Sequence, residues 1–272
     1  MPLQISISNA IGSRGVTAAG GYDPDAQAFI TAASITDPTQ QSAINQLVVD
    51  LKGYSIWTKF KAIYTIVGGS ASSHAVNLKT PGTYNLTFAT GWTHSSTGMT
   101  PNGVTYADTS LIPSSVLTNN NTHLSFYSRT SSIINGQRDI GVFVSGANPC
   151  ASLGTNTGVQ LSDHYSFSTN RISASIANAL CFVNGIRTSS TSHKLFKNGT
   201  QIGTTDTYAN TWTLPTQEIY IGAANINPFP FTNTSSTKET AFASIGDGLT
   251  DTEAANFYTA VQAYQTTLSR QV

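Results

Sequence analysis

Residues 57–242 consist of short runs of β-forming residues separated by polar turns. Residues 62–67 run into a Gly-Gly pair, residues 84–88 alternate apolar and polar side chains, and residues 140–144 and 218–221 are further runs of this kind. Many short strands with frequent Asn and Gly turns are typical of an antiparallel sandwich or barrel. The sequence therefore predicts a mainly β fold.

Two helices are predicted before these strands. Asp23 and Asp37 each precede a proline, which is the arrangement of an N-cap followed by proline at the first helical position. After the second cap, apolar residues from Ile44 to Leu51 follow the i, i+3, i+4, i+7 spacing of a helix that lies on a core. We therefore expect a helical segment over residues 23–56 that packs on the sandwich.

A further helix is predicted over residues 250–268. Thr250 and Glu253 form a capping box, and Phe257 begins an apolar stripe at helical spacing. The β-sandwich domain is then expected to cover residues 57–272, with this helix included.

Residues 1–22 are predicted to form a separate extended arm. Strand-like alternation at its start is followed by several glycines that keep the chain flexible. Such an arm buries little by itself, so it is either a disordered terminus or an anchor that adds a strand to a partner. In the second case its contacts would come from Gln4, Ile5, Ile7 and Ile11.

Charged residues are scarce in this chain. It has 13 Lys and Arg against 13 Asp and Glu, a net charge of zero, and a charged fraction of 10%, where soluble proteins carry roughly 25%. A neutral chain without basic clusters is a poor nucleic-acid binder. No run approaches the ~18 consecutive apolar residues of a membrane span, and no secretory signal is visible at the start. We expect neither nucleic-acid binding nor membrane insertion.

A first resemblance lies in the run SHKLFKNGTQIG at residues 192–203. It resembles the paired strands of laminin-G-like and concanavalin-like domains, and its Asn198-Gly199 pair favours a type I′ hairpin turn on physical grounds alone. Residues 243–249 and the helix after them are similar to the closing strand and helix of the same families. The resemblance implies an antiparallel, concanavalin A-like jelly-roll sandwich with helices at both ends.

A second resemblance is to virion structural proteins of tailed phages, especially fibre-like and surface proteins of phages that infect Bacteroidetes-type hosts. It rests on FITAA at 29–33, AINQLV at 43–48, GWTHSS at 91–96 and the tail at 245–272. It implies a non-enzymatic head or tail protein of the virion, made in the host cytoplasm and anchored to other virion proteins by residues 1–22. It further implies a dimer or trimer whose lectin-like domain either contacts host surface glycans or only decorates the particle.

A catalytic site finds little support in the sequence. Glycoside hydrolysis, the activity most often hosted by this fold, needs two carboxylates a few ångströms apart. The Glu-x-Asp-x-x-Glu motif of laminarinase-type members is absent, and Glu253 is explained as a helix cap. A polysaccharide-degrading hydrolase that pairs Asp139 with Glu218 stays as one alternative, and a free lectin stays as another.

Metal binding is not predicted either. The histidines are scattered, and His94 is more simply a bonded loop residue than a catalytic or metal-binding one. Residues 247–251 suggest calcium only superficially, because they lack the ligand spacing of an EF-hand. Cys150 and Cys181 are too few for a disulfide framework, so we expect two reduced thiols while leaving a bond between them open.

Carbohydrate binding is the chemistry that the loops favour, because sugar sites combine aromatic platforms with polar groups that form hydrogen bonds. The alternative is that both tryptophans of these loops fill the sandwich core, as most tryptophans do. The candidate residues are Trp92, His94, Asn102, Tyr106 and Asp108 in one loop, and Tyr208, Asn210 and Trp212 in the other.

Overall fold

The computed structural model describes residues 21–144, 148–165, 170–226, 229–230 and 235–272. Within these residues the chain forms five α-helices and two β-sheets. The anchor residues predicted for the N-terminal arm lie outside the described residues; they are Gln4, Ile5, Ile7 and Ile11.

The first two helices begin at the predicted caps. Helix α1 spans Pro24–Ala32 and helix α2 spans Pro38–Gly53. The side chain of Asp23 accepts a hydrogen bond from the backbone N–H of Asp25 at 3.0 Å. The side chain of Asp37 likewise accepts a backbone N–H at the start of the second helix. Each proline occupies the first helical position, where a backbone N–H would have no partner within the helix. The apolar stripe of α2 is buried, as its spacing predicts.

Seventeen strands follow in the described part of the chain. A short 3₁₀ helix at Trp57–Lys59 leads into the first of them. In chain order the elements are β1 (Phe60–Tyr64), α3 (Ala71–His74), β2 (Thr87–Phe88), β3 (Trp92–His94), β4 (Met99–Pro101), β5 (Ala107–Asp108), α4 (Pro113–Val116), β6 (Thr122–Ser128), β7 (Arg138–Phe143), β8 (Cys150–Asn156), β9 (Val159–His164), β10 (Arg171–Ser175), β11 (Cys181–Ser189), β12 (Ser192–Lys197), β13 (Thr200–Asp206), β14 (Tyr220–Ile221), β15 (Ala224–Ile226), β16 (Phe229–Pro230), β17 (Thr240–Gly246) and α5 (Asp251–Thr267).

These strands form two sheets. The first runs β13-β12-β11-β6-β17-β4-β3, with β1 also paired to β17; the second runs β10-β9-β8-β7-β14-β5-β2, with β15 and β16 beside β7. Pairing is antiparallel except between β7 and β15. Asn198 and Gly199 both have positive φ in the turn that joins β12 to β13, so the predicted hairpin is confirmed. The predicted mainly β sandwich is likewise confirmed.

The first sheet is covered on both faces. Leu124 and Phe126 of β6 point into the core between the sheets, whereas Tyr127 of the same strand points into a second core beneath the helices. Every residue of β6 and of β17 is buried. Both faces of these two strands therefore lie inside the protein.

Helix α5 closes the helical side of the sandwich. Its capping box is present, with Thr250 and Glu253 bonding each other's backbone N–H. Phe257 makes edge-to-face contacts with Phe60 and Phe182, at centroid distances of 4.9 and 5.2 Å. Such contacts add to the free energy gained from burying the rings. The helix therefore holds the first sheet through one central aromatic cluster.

Arg270 fixes the chain after α5. The side chain is buried, and its guanidinium donates hydrogen bonds to the carbonyls of Ile66 (2.6 Å) and Thr65 (2.8 Å) and to the side chain of Gln265 (2.6 Å). The guanidinium thus donates hydrogen bonds to the backbone carbonyls of the residues that follow β1. Arg270 is therefore an internal cross-link between the chain after α5 and the end of β1.

Cys150 and Cys181 are free and buried. Burial raises the pKa of the Cys181 thiol to about 11, so it stays protonated near neutral pH. Among the described residues, no helix combines the length and the apolar character needed to cross a membrane.

Replacing Phe257 by alanine should lower the free energy of unfolding by about 3–5 kcal/mol, because the fully buried ring leaves a cavity at the centre of the helical layer. Urea denaturation measures the loss. Thr259→Ala, at an exposed position of the same helix, should stay within about 0.5 kcal/mol of the native protein. Equal stability of the two variants would contradict the central role of this helix.

Candidate functional site

A loop with two exposed aromatic residues leaves the end of β13. We call residues 207–213 the aromatic loop. Its Tyr208 and Trp212 are 59% and 43% exposed, among the few large apolar side chains of the described residues with this much exposure. Trp212 therefore does not fill the sandwich core.

Asn210 holds the aromatic loop in place. Its side-chain amide donates to the side-chain oxygen of Asn120 at 2.9 Å and to the backbone carbonyl of Trp212 at 2.8 Å, and its own oxygen accepts the N–H of Trp212. Its backbone N–H donates to the carbonyl of Ser190 at 2.7 Å. An asparagine that bonds the backbone two residues later is a standard turn-forming device. The ring of Trp212 is thus carried by a fixed backbone.

A second set of contacts supports the loop at Tyr208. The carboxylate of Asp206 accepts the backbone N–H of Tyr208 at 2.9 Å, and Asn170 donates its amide to the Tyr208 carbonyl at 3.0 Å. The buried guanidinium of Arg187 lies beneath and donates to Asp206 at 3.2 Å. Both aromatic residues therefore lie on a preorganised loop, with their charged supports inside the protein.

The other candidate tryptophan has a different position. Trp92, on β3, is half-buried at the edge of the sandwich and donates its indole N–H to the carbonyl of Tyr106 at 3.0 Å. Its ring lies against Gly222, where an added Cβ would come within 2.8 Å of it. It also packs edge-to-face on Phe88. Trp92 therefore closes the core at this edge, as the alternative interpretation expects.

His94 forms a pair with His74. Their Nδ1 atoms are 2.9 Å apart and share a hydrogen bond, so one ring is donor and the other acceptor. Burial lowers the pKa of both rings, that of His74 to about 3. Two neutral imidazoles that bond each other match the bonded-loop interpretation of His94.

Tyr106 and Asp108 belong to an acidic and aromatic cluster on the second sheet. The ring of Tyr106 stacks on that of Tyr220 with centroids 4.3 Å apart and an angle of 13°. Burial, together with the charge of Glu218, raises the pKa of Asp108, and burial beside Asp108 raises the pKa of Tyr220 to about 12. Tyr220 was missed by sequence reasoning because it lies more than a hundred residues along the chain from Tyr106.

The candidate residues therefore fall into two places. Tyr208, Asn210 and Trp212 belong to the aromatic loop, whereas the other five lie on or near β3, β4 and β5. Asn102 is in an exposed turn, where its side chain accepts the N–H of Val104. No hydrogen bond or ring contact joins the two groups in the described ranges.

Asp139 is engaged in a buried ion pair. Both of its carboxylate oxygens lie within 2.9 Å of the ammonium of Lys238, and the Ser236 hydroxyl donates to it at 2.8 Å. Asp139 and Lys238 are each about 1% exposed. The carboxylate that the sequence offered for a hydrolytic pair with Glu218 is thus held by a buried cation.

The acidic residues near the start of α5 also have basic partners. Asp247 pairs with Lys61 at 2.9 Å and Asp251 with Lys194 at 2.7 Å. No group of three or more potential metal ligands occurs in the described parts of the chain.

Comparison with known proteins identifies the fold. Trypanosoma rangeli sialidase, in complex with a difluorosialic acid, matches at a TM-score of 0.52 and 11% identity over 80% of this chain and 38% of that one. A mutant of that sialidase with trans-sialidase activity matches at 0.52 and 10% identity over 82% and 39%. A weaker likeness, at 0.46 and 13% identity over 73% and 98%, is domain 4 of an arabinanase from Geobacillus stearothermophilus in complex with arabinotriose.

These structural neighbours are carbohydrate-active or carbohydrate-binding proteins. At such identities the likeness shows the sandwich fold, and the chain spans less than half the length of the sialidases that it matches. No protein-family model matches the chain, and no curated protein is significantly similar to it in sequence.

Removing one partner of the buried Asp139–Lys238 ion pair should be strongly destabilising. Lys238→Met leaves the Asp139 carboxylate buried without its cation and should lower the free energy of unfolding by about 3–5 kcal/mol. The double variant with Asp139→Leu should recover most of this, whereas Lys194→Met, at an exposed pair, should lose less than about 1 kcal/mol. Urea denaturation compares the three; a stable single variant would leave Asp139 free for another role.

Buried histidines should make the fold sensitive to mild acid. Burial lowers the pKa of His123 to about 4 and that of His193 to about 3, below the ~6.5 of an unfolded chain. Below pH ~6.5 the unfolded state therefore binds more protons, and stability falls by about 1.4 kcal/mol per pH unit for each such histidine. Urea denaturation at several pH values between ~7 and ~5 measures how steeply the free energy of unfolding falls with pH. His123→Gln should reduce this slope by the contribution of one proton, about 1.4 kcal/mol per pH unit; an unchanged slope would refute the assignment.

Proposed function

We propose that this chain is a non-enzymatic carbohydrate-binding protein that holds a glycan on the aromatic loop. The observation that carries the proposal is the exposure of Tyr208 and Trp212 on a loop that hydrogen bonds fix in place. A ring already immobilised loses little conformational entropy when a ligand stacks on it.

The chemistry of the loop suits a sugar. Tyr and Trp rings offer an apolar face with a polar tip, and the apolar face of a sugar ring can lie on them. Threonine hydroxyls at Thr207, Thr211 and Thr213 are exposed beside them and can bond sugar hydroxyls. The sialidase neighbours support the proposal only as an analogy of fold, because function resides in sites and not in folds.

A binding role is preferred to hydrolysis because of how the carboxylates are used. Asp139 is neutralised by Lys238, and Glu253 caps α5 while bonding Lys59 at 2.6 Å. The charge of Glu218 contributes to the raised pKa of Asp108, and no hydrogen bond or ring contact joins the aromatic loop to either carboxylate in the described ranges.

The resemblance to virion proteins supports a finer proposal. In it the sandwich is displayed on a phage head or tail, residues 1–22 bind other virion proteins, copies assemble as a dimer or trimer, and the glycan is on the host surface. Immunogold labelling of purified particles tests this part; unlabelled particles would remove the virion role and leave glycan binding untouched.

Trp212→Ala and Tyr208→Ala should each weaken binding to the glycans that the native protein retains on a glycan array. A stacking contact worth about 1.4 kcal/mol corresponds to a tenfold loss of affinity, and we expect at least that for Trp212. Val104→Ala, which truncates an exposed apolar residue elsewhere, is the matched control. Unchanged binding by both loop variants would refute the site.

Turnover of the bound glycan would refute the non-enzymatic role. The assay is release of reducing ends from each retained polysaccharide by the native protein, by Glu218→Gln and by Asp108→Asn. We expect none above the level without protein. Release that disappears in either carboxylate variant would make the chain a hydrolase.

A further inference from the structure

The aromatic loop itself carries no charge. Its seven residues are neutral, and it is held from outside by Asn120, Asn170 and Ser190 and by the Asp206 carboxylate that precedes it. A ligand that lies on Tyr208 and Trp212 therefore meets rings, hydroxyls, amides and backbone groups.

Asp206, which precedes the loop, and the buried Arg187 are two charges that bond each other beneath it. Asp206 accepts hydrogen bonds from Arg187, from Asn170 and from the backbone of Tyr208. Arg187 is fully buried and also donates to the carbonyl of Ser190 at 3.1 Å. Neither group can turn to a ligand without breaking the contacts that position the loop.

Arginine is the side chain that recognises carboxylate or phosphate in a bidentate way. Every arginine of the described residues already has a carboxylate or carbonyl partner. Arg129 bonds Glu239, Arg138 and Arg171 lie on Asp163, and Arg270 bonds backbone carbonyls; Arg187, the fifth, bonds Asp206.

The two lysines of the described chain without a carboxylate partner lie elsewhere. Lys79 lies over the ring of Trp57, 4.3 Å from its centroid, on the helical side. Lys197 bonds the Asn178 carbonyl and stands at the turn before β13. The aromatic loop follows the other end of that seven-residue strand, about 20 Å away.

We propose that the aromatic loop selects neutral glycans and discriminates against those that carry carboxylate, sulfate or phosphate. This inference rests on the proposed glycan binding and adds the class of ligand. The anionic group of such a sugar would lose part of its hydration shell on the loop without gaining a cationic side chain as partner. The Asp206 carboxylate below the loop would also repel it. The ligand class thus differs from the difluorosialic acid with which the sialidase neighbour is in complex.

Low sensitivity to salt follows from the same surroundings. Binding through stacking and neutral hydrogen bonds is little affected by counter-ions, whereas binding of an anion by exposed cations is screened over the Debye length, ~10 Å at 0.1 M salt. Affinity for a neutral glycan should therefore change less than about twofold between ~0.05 M and ~0.5 M NaCl.

The experiment compares a galactose-terminated oligosaccharide with the same oligosaccharide capped by sialic acid. Titration calorimetry measures both against the native protein, Trp212→Ala and Thr211→Arg, at low and high salt. We expect the native protein to prefer the uncapped sugar at least tenfold, Trp212→Ala to lose it, and Thr211→Arg to gain salt-sensitive affinity for the capped one.

The outcomes separate this inference from the function on which it rests. Preference of the native protein for the capped sugar, lost in Trp212→Ala, would overturn the neutral class while leaving glycan binding at the loop. If neither sugar binds, the glycan array replaces them, and retention of only anionic glycans overturns the inference. Binding that Trp212→Ala leaves unchanged overturns both.

Discussion

The helical layer over the first sheet is the constraint on which the rest of the structure depends. Phe257 joins α5 to Phe60 and Phe182, and the stripe of α2 packs in the same core. A sheet covered on both faces offers no open surface for a ligand. A ligand can reach the first sheet only at its edges and at the loops that leave its strands, such as the aromatic loop with Trp212.

Several of the few charged residues of this protein have structural roles. Some of the few charged groups lie inside the protein, in the pairs Asp139–Lys238 and Arg187–Asp206 and in the carbonyl-bonded Arg270. A buried ion pair contributes little net stability compared with apolar side chains of the same volume, because desolvation opposes the attraction. What these groups do is fix geometry at chain segments that the apolar cores do not reach, and the outer surface keeps few charges.

Local features could be predicted from the sequence, and tertiary ones could not. The Asp37 cap and the Asn198-Gly199 turn depend on residues within a few positions, so the pattern alone identifies them. Trp92 and Trp212 have similar polar surroundings in sequence, yet one closes the core and the other is exposed. Lys238 meets Asp139 across 99 residues, and no spacing rule connects them.

The position of the aromatic loop follows from this division between cores and polar supports. Apolar packing is interrupted after β13: residues 207–213 are exposed or half-buried and are held by hydrogen bonds, until Leu214 returns to the interior. Asp206 fixes the backbone at Tyr208, and Asn210 fixes it at Trp212; the first of these depends on Arg187 to hold the carboxylate. A buried cation beneath a neutral loop thus gives the loop its rigidity without giving it charge, and this arrangement is the basis of the proposed preference for neutral glycans.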